Sequence, residues 1–146
     1  MVAPDVGAIK IARAYASRLH TDLAVIDKRR PNQNQAEVVN IIGEVRGKNV
    51  LLIDDLIDTA GTITNAANAL REAGARDIMA ACTHPLFSGP AFERIEASAL
   101  SKVVVTDTVP LRRTSPFVEV ASVADLFADA IKRITTDASI STLFRT

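Results

Sequence analysis

The 146 residues contain a single cysteine, Cys82, so no disulfide can form within the chain and a reducing compartment suits it. An excess of charge of either sign is also lacking. Lys plus Arg and Asp plus Glu number 17 each, and no global field draws the protein to nucleic acid or to a membrane surface. Any recognition of phosphate must then be local. No apolar run approaches the roughly 20 residues that span a bilayer. Asp5, Lys10, Arg13 and Arg18 stand where a secretory signal would have its apolar core. Repeats, low-complexity segments and internal linkers are absent as well. These absences predict a soluble, cytoplasmic protein built as a single domain over residues 1–146, with no nucleic-acid and no membrane partner.

What is present alternates between two periods. Val2–Asp5, Leu23–Asp27, Asn49–Ile53, Ile78–Thr83, Lys102–Asp107 and Phe117–Val120 read as strands. Between them, Ala8–Leu19, Thr62–Glu72, a segment from Gly89-Pro90 to Ser98, and Val123–Ile134 read as helices. Ile11, Tyr15 and Leu19 set the apolar spacing of the first helix, and Gly74 stops the second. Residues 31–35 have no apolar period and read as a loop. Near-continuous apolar strands between helices predict an α/β fold, a mainly parallel sheet with helices on both faces. Ligands of such sheets bind at the carboxyl ends of the strands. Asp5, Lys28, Asp54 and His84 fall at or just past those ends. Cys82, within Ile78-Met79-Ala80-Ala81-Cys82, reads as a small buried hydrophobe. The chain opens directly on a strand, which points to further sequence upstream.

The most informative stretch is Val50 to Thr62, where an apolar run ends in Asp54-Asp55 and continues through Asp58-Thr59-Ala60-Gly61-Thr62 into a helix. A strand handing over to a helix N-terminus gathers free backbone N–H groups and a positive dipole end at one place, which suits a phosphate monoester. Gly61 would let the backbone approach closely, and the Thr59 and Thr62 hydroxyls add donors. Asp54 and Asp55 would repel phosphate. They suit what lies beside one on a sugar, a pair of vicinal hydroxyls with Mg²⁺ between. The combination predicts a ribose 5-phosphate cradle. The same residue types also end strands and cap helices without binding anything, so spacing alone leaves both readings open.

A second cluster, Asp27-Lys28-Arg29-Arg30-Pro31, precedes a polar stretch. It reads either as a solvated charge run or as cations that neutralise a phosphate being transferred. His84 alone reads as a loop histidine bonded to backbone.

Leu51 to Thr62 resembles the phosphoribosyl-diphosphate binding signature of the type I phosphoribosyltransferases, which implies a phosphoribosyltransferase-like fold. Three other segments resemble the ribose-phosphate diphosphokinases more closely. Asp27–Pro31 is similar to their catalytic flexible loop, which implies that Lys28 and Arg30 contact the ATP phosphates and stabilise the transition state. Pro4-Asp5-Val6-Gly7 is similar to a segment whose aspartate, here Asp5, helps bind Mg²⁺. Thr83-His84-Pro85 through Ser88-Gly89-Pro90-Ala91 is similar to a third family segment, in which His84 takes a supporting role. Ser139–Phe144 resembles the tail near a regulatory nucleotide or phosphate site. Ala8 departs from the family pattern, where many members have a second glycine, and Ile11 replaces a common arginine.

The resemblance runs from Pro4 to Phe144 and covers only the carboxyl-terminal half of the family enzyme; the amino-terminal domain, which supplies most adenine and triphosphate contacts, has no counterpart here. It implies diphosphoryl transfer from ATP to ribose 5-phosphate, giving phosphoribosyl diphosphate and AMP, with Mg²⁺ as cofactor. It also implies a homo-oligomer, a hexamer in the full-length enzyme, and weak or no activity for this chain alone. Two alternatives stand beside it. A base-transferring phosphoribosyltransferase should carry a hood that selects the nucleobase, and no such segment is found. The other is a non-catalytic partner of the synthetase.

Overall fold

The computed structural model describes residues 1–29 and 38–144. Seven strands form one sheet: β1 (Val2–Ala3), β2 (Ala24–Arg29), β3 (Val38–Ile42), β4 (Asn49–Ile57), β5 (Asp77–Pro85), β6 (Lys102–Thr106) and β7 (Val118–Ala121). Their order is β3-β2-β1-β4-β5-β6-β7, parallel throughout except for the antiparallel β2–β3 pair. The helices are α1 (Ile9–Arg18), α2 (Gly61–Glu72), α3 (Ala91–Ala97) and α4 (Ala124–Thr135), and a 3-10 turn follows at Ser141–Phe144.

Strand alternation sorts the apolar side chains into two layers. On one face Leu52, Ile78, Ala80, Val103 and Val105 pack under Ile63, Ala66, Ala67 and Leu70 of α2 and Ala91, Phe92 and Ile95 of α3. The other face holds a smaller cluster, Ala3 and Ile53 against Ala8 and Ala12 of α1. Alanines on α1 let that helix sit close to the sheet. Cys82 is 6% exposed in the larger layer, and burial pushes its thiol up to about 12.

Several strand boundaries differ from those expected, and one strand was not expected at all. β1 stops at Ala3, which leaves Asp5 in the turn beyond it. β4 runs four residues past Ile53, because its ladder with β5 continues through Asp54↔Cys82, Leu56↔His84 and Ile57↔Pro85. Asp54, Asp55 and His84 are therefore strand residues. β2 extends to Arg29 because β3 pairs with it, Lys28↔Val39 and Arg29↔Val38. β3 was not expected, since Val-Val-Asn-Ile-Ile has neither strict alternation nor turn residues at both ends. From β1 the chain winds outward to β2 and β3, then returns to add β4 to β7 on the other side. The topological switch point lies between β1 and β4, and the site forms there.

Candidate functional site

The turn after β4 is built by its carbonyls. Ile57 O accepts from the Phe87 N–H at 3.2 Å, and Asp58 O from the Ser88 N–H at 3.0 Å. Thr59 O accepts from the Arg94 guanidinium at 2.9 Å. Ala60 O takes both the Thr64 N–H at 3.1 Å and the Thr64 hydroxyl at 2.7 Å. Four successive carbonyls are thus drawn away from the cavity, onto the 87–94 segment and the first turn of α2. In a trans peptide the N–H points opposite its carbonyl, so those of residues 58 to 61 are turned outward. The N–H groups of residues 58–63 have no acceptor among the described residues, and no side chain caps α2.

The outward N–H groups line a cavity of about 190 Å³ bounded by Asp5, Asp54 and the stretch 56–63. With the dipole end of α2 behind them they form a concavity of the kind that suits an anion. Ala60, at φ 61°, holds the left-handed conformation that reverses the backbone. Gly61 does not, and a Cβ there would meet Arg94 Nη1 at 3.4 Å, an ordinary contact.

Asp5 and Asp54 flank this cavity and line a second one of about 630 Å³ with Gly7, Ala8, Lys10, Ile11, Ala14 and Asp55. One oxygen of Asp5 accepts the Ala8 N–H at 3.1 Å, which ties the acid to the start of α1. Asp54 accepts the Asp55 N–H at 3.0 Å. Its carboxyl is nevertheless pushed up to about 6, first by burial and then by the charges of Asp5 and Asp55. Such a carboxylate gains from a hydroxyl donor or a cation. Among the described residues no cluster of three or more acidic, histidine or cysteine side chains could hold a metal unaided. Two carboxylates beside an anion cradle do fit Mg²⁺, which commonly binds through one or two carboxylates plus substrate phosphates.

The structure thus brings Asp5, Asp54, Asp55, Asp58, Thr59, Ala60, Gly61 and Thr62 to one place. Lys28 lies on β2 by its backbone, and Arg30 lies outside the described residues. His84 Nδ1 bonds the Thr108 hydroxyl at 3.0 Å rather than backbone. Sequence reasoning missed Arg94 and Thr64. An arginine on a short helix and a threonine one turn inside another carry no motif signal; only the fold shows which carbonyls they hold.

A family model described as the phosphoribosyl synthetase-associated domain matches residues 30–145. The chain belongs to that family. It is 54% identical over 145 residues to the ribose-phosphate pyrophosphokinase of Chlorobaculum tepidum, covering 99% of this chain and 45% of the relative. To that of Helicobacter hepaticus it is 51% identical over 144 residues, covering 99% and 47%. The chain therefore spans about half the length of the curated relatives it matches. The crystal structure of phosphoribosylpyrophosphate synthetase from Mycobacterium smegmatis matches with a TM-score of 0.87 at 37% identity, over 94% of this chain and 45% of that one. A purine phosphoribosyltransferase from Pyrococcus horikoshii matches with a TM-score of 0.51 at 20% identity, over 82% and 73%, and shares the fold. Among the described residues of this phosphoribosyl synthetase-associated domain, no helix is long and apolar enough to cross a membrane.

Proposed function

We propose that the chain is the carboxyl-terminal, ribose 5-phosphate-binding domain of a ribose-phosphate diphosphokinase. The observation that carries this reading is the row of open N–H groups at residues 58–63 beside Asp54 and Asp5. An anion cradle next to paired carboxylates matches a phosphate and the hydroxyls of one sugar. The turn would hold the 5-phosphate through backbone N–H groups and the Thr59 and Thr62 hydroxyls. Asp54 and Asp55 would accept from the ribose hydroxyls. Asp5 and Asp54 would hold Mg²⁺, whose charge would offset that of the phosphates being transferred.

The larger cavity, which shares Asp5 and Asp54 with the turn, would leave room for the end of the sugar that reacts. There the 1-hydroxyl oxygen would bond to the β-phosphorus of ATP as AMP departs. Lys28 and Arg30 would clamp the diphosphoryl group, a role that rests on the resemblance of Asp27–Pro31. Contacts to the nucleotide base would come from the part of the family polypeptide that this chain does not match.

Calorimetric titration with ribose 5-phosphate, ribose and inorganic phosphate tests the site. Ribose 5-phosphate should bind more tightly than either fragment, and AMP release with ATP and Mg²⁺ should be slight for the chain alone. Equal affinity for ribose and ribose 5-phosphate would remove the phosphate turn from the reading. Rapid AMP release would show that the nucleotide contacts lie within these 146 residues.

A further inference from the structure

A second polar concavity lies between α2 and α3, and the proposed sugar site does not use it. Gly61, Asn65 and Asn68 follow one face of α2 and border a cavity of about 320 Å³, which Arg94 and Ser98 border from the α3 side. Gly61 also borders the turn after β4, so the two cavities meet at that residue.

The free polar groups of this groove are donors. The Thr64 hydroxyl is spent on Ala60 O at 2.7 Å, and the Ser98 hydroxyl on Ile95 O at 2.8 Å. Asn68 Oδ1 accepts the Ala99 N–H at 2.9 Å, which fixes the amide and leaves its nitrogen as the open end. Its N–H groups meet no acceptor among the described residues. Arg94 spends Nη1 on Thr59 O and leaves the rest of its guanidinium fork open. No carboxylate lines the groove among the described residues. Glu93 and Glu96, the acids of α3, pair instead with Arg113, at 3.6 and 2.9 Å. The charge on Arg94 is therefore uncompensated where it faces the groove.

A concavity that offers N–H donors, one full positive charge and no acid is complementary to a group with acceptor oxygens and negative charge. We propose that the groove between α2 and α3 is an oxyanion site, distinct from the phosphate turn, in which Arg94 and the Asn68 amide hold a carboxylate or phosphate group. A guanidinium fork takes either group through two parallel hydrogen bonds, and these charge-assisted bonds are about twice as strong as neutral ones. Asn65, exposed and without a hydrogen bond among the described residues, lies on the same face of α2 and supplies a further donor. Arg94 would then act on both sides, propping Thr59 O with one nitrogen and meeting the groove ligand with the others.

Nuclear magnetic resonance of the isotope-labelled chain tests the site, with inorganic phosphate and acetate titrated separately to millimolar concentration. The expected result is a saturable shift of the Asn68 side-chain amide and of Arg94 Nε–H. Saturation by phosphate alone identifies a phosphate ligand, and saturation by acetate as well identifies a group that either class can supply. Asn68→Asp keeps an oxygen for the Ala99 N–H and replaces the donors by a negative charge. In that variant the affinity read at Arg94 Nε–H should fall about tenfold or more. An unchanged affinity in Asn68→Asp would show that Arg94 only reports on the turn, and would overturn the site. Groove signals that drift without saturating, or stay fixed while only the backbone amides of residues 58–63 respond, would overturn it too.

Discussion

Arg94 should govern affinity for phosphate without touching it. Its guanidinium donates to Thr59 O at 2.9 Å and pairs with no carboxylate among the described residues. The carbonyl it holds belongs to the peptide whose N–H is that of Ala60, the residue in the left-handed conformation. In Arg94→Met the stem remains, but the donor and the charge behind the turn are lost. The Thr59–Ala60 plane is then free to rotate its N–H away from the cavity. A hydrogen bond from a charged donor is worth about 1.5–3 kcal/mol where solvent is excluded, and Arg94 is exposed, so about 1–2 kcal/mol of ribose 5-phosphate affinity is at stake. That is a loss of roughly 5- to 30-fold.

Calorimetry of ribose 5-phosphate against ribose separates this from general damage. The ratio of the two affinities should collapse toward one in Arg94→Met and recover in part in Arg94→Lys, which restores charge on a shorter fork-less stem. Ribose alone, which the proposed site would hold through Asp54 and Asp55, should be unaffected. If the ratio in Arg94→Met equals that of the parent chain, the peptide plane is fixed by Ser88 and Thr64 alone, and the carbonyl argument at Thr59 fails.

Three further outcomes follow from the geometry. Thr62→Val, which keeps the shape at an exposed position, should weaken ribose 5-phosphate binding by about 1–3 kcal/mol, read by the same titration; no change would place the phosphate elsewhere. Asp54, raised to about 6 in the fold, has its charge opposed at neutral pH, so that its contribution to stability improves as pH falls from above 6 toward its unfolded value near 4. Asp54→Asn should accordingly be more stable than the parent at pH 7, by about 1 kcal/mol after screening of a half-exposed side chain, and lose that advantage by about pH 4.5. Equal melting temperatures at neutral pH would contradict the burial argument. Cys82, pushed up to about 12, should resist thiol reagents in the folded protein at pH 8 and react only on unfolding.

Much of the fold could be read from the sequence, because its signals are local. Alternating strand and helix periods placed six of the seven strands and all four helices, and the parallel order follows from their alternation. The errors share a cause. A carboxylate or a lysine was taken to end a strand, yet β4 and β2 run on through Asp54 and Lys28 because a neighbouring strand supplies the ladder, whatever the side chains. β3 is missing from the sequence reading for the same reason, since it exists by pairing with β2. At the turn, the left-handed backbone falls on Ala60 rather than on a glycine, a position with no residue-type signal in the sequence. The last helix, α4, was also legible, though its apolar stripe shows only in the structure. What should cover it was not, because periodicity shows that a face is apolar and says nothing of its partner.

The segment Thr83 to Ala91 shows why a motif can matter to a site it does not enter. Phe87 is 2% exposed and meets Phe92 edge-on at 5.1 Å between ring centroids, so its backbone is anchored from the core. At φ 46° it turns the chain so that two successive N–H groups, of Phe87 and Ser88, meet Ile57 O and Asp58 O. Two residues of aromatic packing thereby fix two peptide planes of the β4 turn, and α3 fixes a third through Arg94. A flexible turn would have to be ordered by each ligand it bound, at a cost in conformational freedom. Here that ordering is built in by side chains on the far side of the backbone. The proposed anion cradle is therefore a property of two loops and a helix packed together, and the acids of β4 are held beside it by the same ladder that carries β4 past Ile53.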